Sequence, residues 1–142
     1  MPTLAHAIAL AVEAHQGQVD RAGQPYILHP LRVMFQLKSD IDRIVAILHD
    51  VVEDTAYTFA DLRQMGYSEE IINALDGVTR REEESYEAFV ERSAQNPISR
   101  RVKLADLTDN MDIRRIAEEL SDKDVARLKR YQRAWQRLSV DP

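Results

Sequence analysis

An all-helical fold is what this 142-residue chain predicts. Three observations point that way. Apolar residues recur at helical spacing, as in Leu4, Ile8, Ala11 and Val12, and again in Val33, Met34 and Leu37. Helix-start signals, in which Ser, Thr or Asn precedes an acidic residue or a proline, recur along the chain. No stretch shows a convincing period-2 strand, and neither an internal repeat nor a low-complexity segment breaks the pattern. Short helices with short connections imply one compact helical bundle, with residues 1–142 forming a single domain.

Each element has its own justification. Residues 3 to about 16 read as an amphipathic helix. The stretch from His15 to Tyr26 follows as a loop. It holds Gly17 and Gly23, two of the four glycines, together with Pro25. Pro30 suits the first turn of the next helix, which Val33, Met34 and Leu37 continue. Ser39 or Asp40 caps a helix whose apolar run, Ile44 to Leu48, reads as buried on most sides. Carried through as helix, it stacks His49 over Glu53 and Asp50 over Asp54.

Thr58 with Asp61 resembles a capping box for a short helix ending at Gly66. Ser68, Glu69 and Glu70 open another, which runs toward Gly77. The charged stretch from Thr79 to Ser85 reads as an exposed loop, and Tyr86 to about Gln95 as a helix. Asn96-Pro97 opens the helix containing Val102 to Asp106. Ser121 with Asp124 starts the last helix. Its expected apolar face is Val125, Leu128, Tyr131 or Gln132, Trp135 and Leu138, with Trp135 in the core. Its other face is basic: Lys123, Arg127, Arg130 and Arg137.

Composition narrows the function classes. Apolar residues make up 44% and charged residues 30%, as in globular domains that bury a core. Cysteine is absent. That removes disulfides, thiolate metal sites and cysteine nucleophiles, so a transition metal would rest on His and carboxylate ligands. No apolar run approaches the roughly 20 residues of a membrane span. The first residues lack a basic segment followed by an apolar block, so no signal peptide is read. A cytoplasmic location and no membrane partner are the expectation. The net charge of −5 argues against nucleic acid as the main partner. Self-association into a homo-oligomer is compatible with the sequence.

Chemistry concentrates in few residues. His49 and Asp50 adjoin at the end of a buried run, where burial is costly unless they are paired or bind a metal. Glu53 and Asp54 follow directly. His29, at a loop-to-helix junction before Pro30, is the second imidazole. His15 at a helix end reads as a favourable partner of the helix dipole, and His6 as packed or solvated. Asp106, with Asn110 one turn later, offers a further carboxylate. Together His29, His49, Asp50 and Asp106 make a mixed N/O set suited to manganese, iron, zinc or similar ions.

At these residues the chain resembles a known family. His29, the pair His49-Asp50 and the later Asp106 look like the H…HD…D signature of HD-domain metal-dependent phosphohydrolases. His15 to Gln18, Gly23 to Pro30, Leu48 to Thr55, Gly77 to Thr79, and Val102 to Asp106 with Asn110-Met111 are similar, in order, to the hydrolase domain of RelA/SpoT-type alarmone enzymes. The resemblance implies an all-helical stand-alone hydrolase domain without a synthetase or regulatory part. It implies one manganese ion held by His29, His49, Asp50 and Asp106, though zinc, iron, cobalt or magnesium would also suit such ligands. It gives Glu53 and Asp54 the role of positioning or activating the attacking water. The implied reaction removes pyrophosphate from the 3′ position of guanosine tetra- or pentaphosphate, a small-molecule nucleotide substrate. Asn110 matches a nucleotide-pocket residue. Arg21 is the best-placed phosphate contact, with Tyr26 and Lys103 as further substrate contacts; Lys103 also reads as a surface charge.

The pattern has departures. Asp20 stands where the family often has Arg, and Leu107, Asp109 and Asp112 replace an Arg, a His and a second Arg. Asp cannot stack on a base or clamp phosphate as Arg does. The expectation is therefore intact metal and water machinery beside an altered substrate pocket. Two other readings stand beside it: a catalytically inactive nucleotide-sensing module of the same fold, or an HD phosphohydrolase acting on another nucleotide. A plain helical interaction domain, built on the basic stripe of the last helix, is a third.

Overall fold

The computed structural model describes residues 1–140. Among them the chain forms helices joined by turns, with one isolated bridge between Val19 and Pro25 and no strand. The helices are α1 (Leu4–Ala14), α2 (Leu28–Phe35), α3 (Asp40–Leu48), α4 (Val51–Asp54), α5 (Phe59–Gln64), α6 (Glu69–Gly77), α7 (Tyr86–Ala94), α8 (Pro97–Asn110) and α9 (Asp122–Ser139). A 3-10 turn, Ile113–Arg115, precedes α9. None of the described helices is long and apolar enough to cross a membrane.

Local chemistry sets the helix starts. The side chains of Thr3, Ser39, Thr58, Ser68, Ser85, Asn96 and Ser121 each accept a backbone N–H of the first turn that would otherwise lack a partner. Thr58–Asp61 and Ser121–Asp124 are reciprocal capping boxes. Ser39, rather than Asp40, caps α3.

The centre of the bundle is α3, packed against α1, α2, α6 and α8. Ile44, Val45, Ala46, Ile47 and Leu48 are each at most 3% exposed, so this helix is buried on nearly every side. Full burial of such aliphatic side chains stabilises by roughly 1.5–3 kcal/mol each. Asp42 in its first turn receives Arg101 Nε and Nη2 from α8 at 2.7 and 3.0 Å. That bidentate pair ties the two helices that carry most of the site residues. A smaller cluster of Val90, Leu107, Ala134 and Leu138 joins α7, α8 and α9.

Three sequence expectations change. The apolar run does not continue as one helix: α3 ends at Leu48, His49 and Asp50 form a turn, and α4 restarts at Val51. Asp50 accordingly faces inward, while Glu53 and Asp54 stay exposed. On α1 the buried line is Ala7, Leu10 and Ala11, and Val12 is 49% exposed. On α9 the buried line is Ala134 and Leu138, with Tyr131 partly covered, while Trp135 is 40% and Val125 38% exposed. The small Ala134 packs into the Val90–Leu107 cluster, which turns the neighbouring Trp135 outward.

The charged stretch after α6 is exposed but internally fixed. Arg92 of α7 donates to Asp76 O (2.5 Å), Thr79 O (2.7 Å) and both Glu84 carboxylate oxygens (2.9 Å each). Gly77 sits where α6 meets α8. A Cβ there would lie 2.2 Å from Ser99 Oγ and 2.8 Å from Ser99 Cβ. Gly77→Ala is therefore expected to destabilise the protein by about 1–3 kcal/mol through overpacking, measured as a lowered denaturant midpoint. An unchanged midpoint would show that the contact yields freely.

Candidate metal centre and cleft

Three elements converge on one point. The turn after α3 delivers His49 and Asp50, the first turn of α2 delivers His29, and α8 delivers Asp106. Ligand atoms of His29, His49 and Asp106 lie within 4.8 Å of one another, and all three residues are buried. His29 Nε2 is 2.9 Å and His49 Nε2 3.3 Å from Asp106 Oδ1. Asp50 Oδ2 closes the group at 3.0 Å from His49 Nε2 and 3.8 Å from His29 Nε2. Asp50 also belongs to a second cluster with the exposed Glu53 and Asp54. It is thus the wall shared by a buried and a solvent-facing acidic group.

The hydrogen bonds orient both rings. His49 Nδ1 lies 2.5 Å from Ala46 O, so the carbonyl fixes the proton on Nδ1. Its Nε2 is buried without an aligned hydrogen-bond partner, although two carboxylates face it. An imidazole nitrogen buried without a hydrogen-bond partner between carboxylates fits the role of a cation ligand. His29 Nδ1 contacts Asp109 Oδ2 at 2.6 Å, so its Nε2 likewise points to the centre. The set His29, His49 and Asp106 can therefore hold a divalent metal.

Electrostatics agree. Burial works against the charged form of His49, yet Asp50 and Asp106 outweigh it and hold its pKa well above the ordinary value. Burial also opposes ionisation of Asp106, but Lys103 and the two imidazoles keep it well below the usual carboxylate range. Asp54 moves the other way. Burial first, then the charges of Asp50 and Glu53, raise it to about 6.

The other candidates fall into place around this centre. Tyr26 donates its hydroxyl to Asp50 Oδ2, Lys103 Nζ donates to Asp106 Oδ2 at 3.0 Å, and Asn110 Nδ2 to Asp106 Oδ1 at 3.1 Å. Lys103 is no surface charge: it is 8% exposed, with its ammonium 4.9 Å from the centre of the Phe89 ring. Glu53 Oε1 accepts the Arg80 N–H at 2.9 Å, which links it to the loop that Arg92 fixes. Arg21 lies at the rim, 70% exposed and 3.5 Å from Asp124. His15 is not a protonated helix cap. It is 2% exposed, its Nδ1 is 2.9 Å from Gln18 Oε1, and burial lowers its pKa. His6 contacts the Tyr67 hydroxyl at 2.8 Å.

The four centre residues with Arg21, Tyr26, Glu53, Asp54, Lys103 and Asn110 line an open cleft of about 880 Å³ that also includes Arg80, Tyr86, Arg115, Arg127 and Arg130. In the sequence Arg127 and Arg130 stand only on a basic stripe, and Arg80, Tyr86 and Arg115 carry no local signal. Their signal lay in tertiary placement. The acidic departures turn out to be engaged within the protein. Asp20 Oδ1 accepts the Ala22 and Gln24 N–H groups at 2.9 Å each and so shapes its loop. Asp112 caps the 3-10 turn and pairs with Arg114 at 2.8 Å. Leu107 is fully buried in the α7–α8–α9 cluster. Asp109 is buried behind His29.

No family model matches the chain. Curated proteins do. A Myxococcus xanthus protein named GTP pyrophosphokinase is 32% identical over 140 residues, covering 86% of this chain and 18% of that protein. The bifunctional (p)ppGpp synthase/hydrolase SpoT of Escherichia coli is 32% identical over 124 residues, covering 84% and 17%. An Aquifex aeolicus guanosine-3′,5′-bis(diphosphate) 3′-pyrophosphohydrolase is 30% identical over 133 residues, covering 85% and 19%. The chain thus spans less than a fifth of the length of these relatives. Among solved structures, a metazoan SpoT ortholog described as hydrolysing ppGpp superposes with a TM-score of 0.79 at 20% identity, covering 98% of this chain and 88% of that one. In sequence over most of its length, and in fold, the chain is a homologue of the RelA/SpoT-type hydrolase domain.

Proposed function

We propose that the chain is a metal-dependent phosphohydrolase that removes the 3′-pyrophosphate of guanosine tetra- or pentaphosphate, or of a related nucleotide alarmone, with manganese as the metal. The observation that carries this reading is His49 Nε2, buried and unpartnered among Asp50, Asp106 and His29 at the floor of an arginine-lined cleft. The likeness to proteins named as 3′-pyrophosphohydrolases supports the reaction type.

His29, His49, Asp50 and Asp106 are the proposed ligands. A bound divalent metal supplies Lewis acidity and lowers the pKa of water there. Glu53, held by the Arg80 N–H, positions the water, and Asp54, lining the cleft and raised to about 6, takes the proton. Tyr26, Lys103 and Asn110 wall the cleft and fix the carboxylates of Asp50 and Asp106. Arg21 reaches the substrate from the rim. Arg80 and Arg130 flank the Tyr86 ring, at 6.0 and 5.0 Å from its centre, and offer guanidinium groups to a polyphosphate.

Three outcomes follow from these roles. Pyrophosphate release from guanosine 3′,5′-bis(diphosphate) should require manganese, stop on chelation, and be abolished together with metal binding in His49→Ala. Release that persists in that variant would end the reading, and an adenine analogue run in parallel tests the base. Glu53→Gln and Asp54→Asn should keep the metal while losing roughly 10²–10⁴-fold in kcat; full turnover in both would remove the assignment.

The third outcome concerns stability. The metal-free folded state holds the Asp54 proton more tightly than the unfolded chain does, because its pKa rises from 3.8 to about 6. This group's contribution to stability therefore falls as pH rises through that window and stays reduced above it. Asp54→Asn should raise the melting temperature of the metal-free protein at neutral pH and have no such effect below the window. An equal shift at both pH values would point to packing instead.

A further inference from the structure

The two histidines at the centre are held in unlike ways. His49 Nδ1 contacts a neutral backbone carbonyl, Ala46 O, whereas His29 Nδ1 lies 2.6 Å from the carboxylate of Asp109. Asp109 is 6% exposed and sits one turn after Asp106 on the inward face of α8. Its other contacts are cationic. Arg32 Nε and Nη2 donate to it at 2.7 and 3.1 Å, and Arg115 Nη1 and Nη2 at 3.2 and 3.3 Å. Every hydrogen bond at this carboxylate therefore leaves it an acceptor, and the proton on His29 belongs to Nδ1. That frees Nε2 for the centre.

We propose that Asp109 is a positioning residue for the metal. It fixes the ring and tautomer of His29 and strengthens that nitrogen as a donor, while Arg32 and Arg115 pair with its carboxylate. The residue at this position, which reads in the sequence as the loss of a ring group, is on this account the charged backing of a ligand. Carboxylates behind metal-bound histidines raise ligand basicity, and their loss typically costs 10–100-fold in affinity. The inference rests on the metal-site reading above, but it makes its own claim: the two histidines contribute unequally because only one is backed by charge.

The test is calorimetric titration of manganese into the intact protein, with cobalt absorption spectra as a second readout and no substrate present. In Asp109→Asn the amide oxygen can still accept from His29, so the shape persists and the charge is lost. Manganese affinity should fall roughly 10–100-fold, with a changed cobalt spectrum. The Arg32→Met/Arg115→Met double variant breaks the same ion pairs yet leaves Asp109 against His29. It should keep manganese affinity within a few-fold of the wild type. If the double variant loses as much affinity as Asp109→Asn, the network is merely structural and the proposal fails. Wild-type affinity in Asp109→Asn also overturns it and leaves the metal centre intact. If the wild type binds neither metal, both readings fall.

Discussion

The structure depends on how two imidazoles and two carboxylates are buried side by side. Removing such groups from water costs several kcal/mol unless each finds a partner. The chain meets this cost at the turn of His49 and Asp50, where the most deeply buried helix ends. There Asp50 lies within reach of both rings, and one turn of α4 then carries Glu53 and Asp54 to the surface. A single turn thereby separates a dry layer of ligand groups from a wet layer of acids.

Charge is arranged in concentric shells around that point. Lys103 and Asn110 brace Asp106, Tyr26 braces Asp50, and Asp109 braces His29. Arg32 and Arg115 in turn enclose Asp109. A chain of net charge −5 can thus present an arginine-lined cleft to an anionic ligand, because many of its acids near the site are turned inward or used in caps. Net charge describes the whole surface and says little about one concavity.

How much of this was legible in the sequence varied with the range of the interaction. Caps at Thr58, Ser68, Asn96 and Ser121 could be read because capping is local, and the five-residue apolar run ending at Leu48 because its burial needs no partner to be inferred. The set His29, His49, Asp50 and Asp106 could be assembled from residue chemistry, but only resemblance implied its order as a signature, since nothing in local spacing brings residue 29 to residue 106. Trp135 was misplaced because a helix with several apolar residues has more than one plausible buried line, and the small Ala134 decided it through packing. Lys103 was misread for a similar reason. A lysine looks solvated until a buried carboxylate and aromatic rings are known to face it. Asp20 and Asp112 showed as lost cations, and Asp109 as a lost ring group, because substitution patterns report residue type, not the direction of a side chain.

The Asp42–Arg101 pair bears on motion. Helices α3 and α8 are joined there at one end and by the site residues further along, about 10 Å away at 1.5 Å per residue on α3. The Asp42–Arg101 pair limits the pivoting of α8 on α3 beneath the floor of the cleft, whose walls are built otherwise. Those walls are the glycine-flanked loop bearing Arg21 and the start of α9 bearing Asp124, which meet across a 3.5 Å contact between an exposed guanidinium and a capping carboxylate. An exposed pair of that kind is weak and screened by salt, so the rim is held less firmly than the floor.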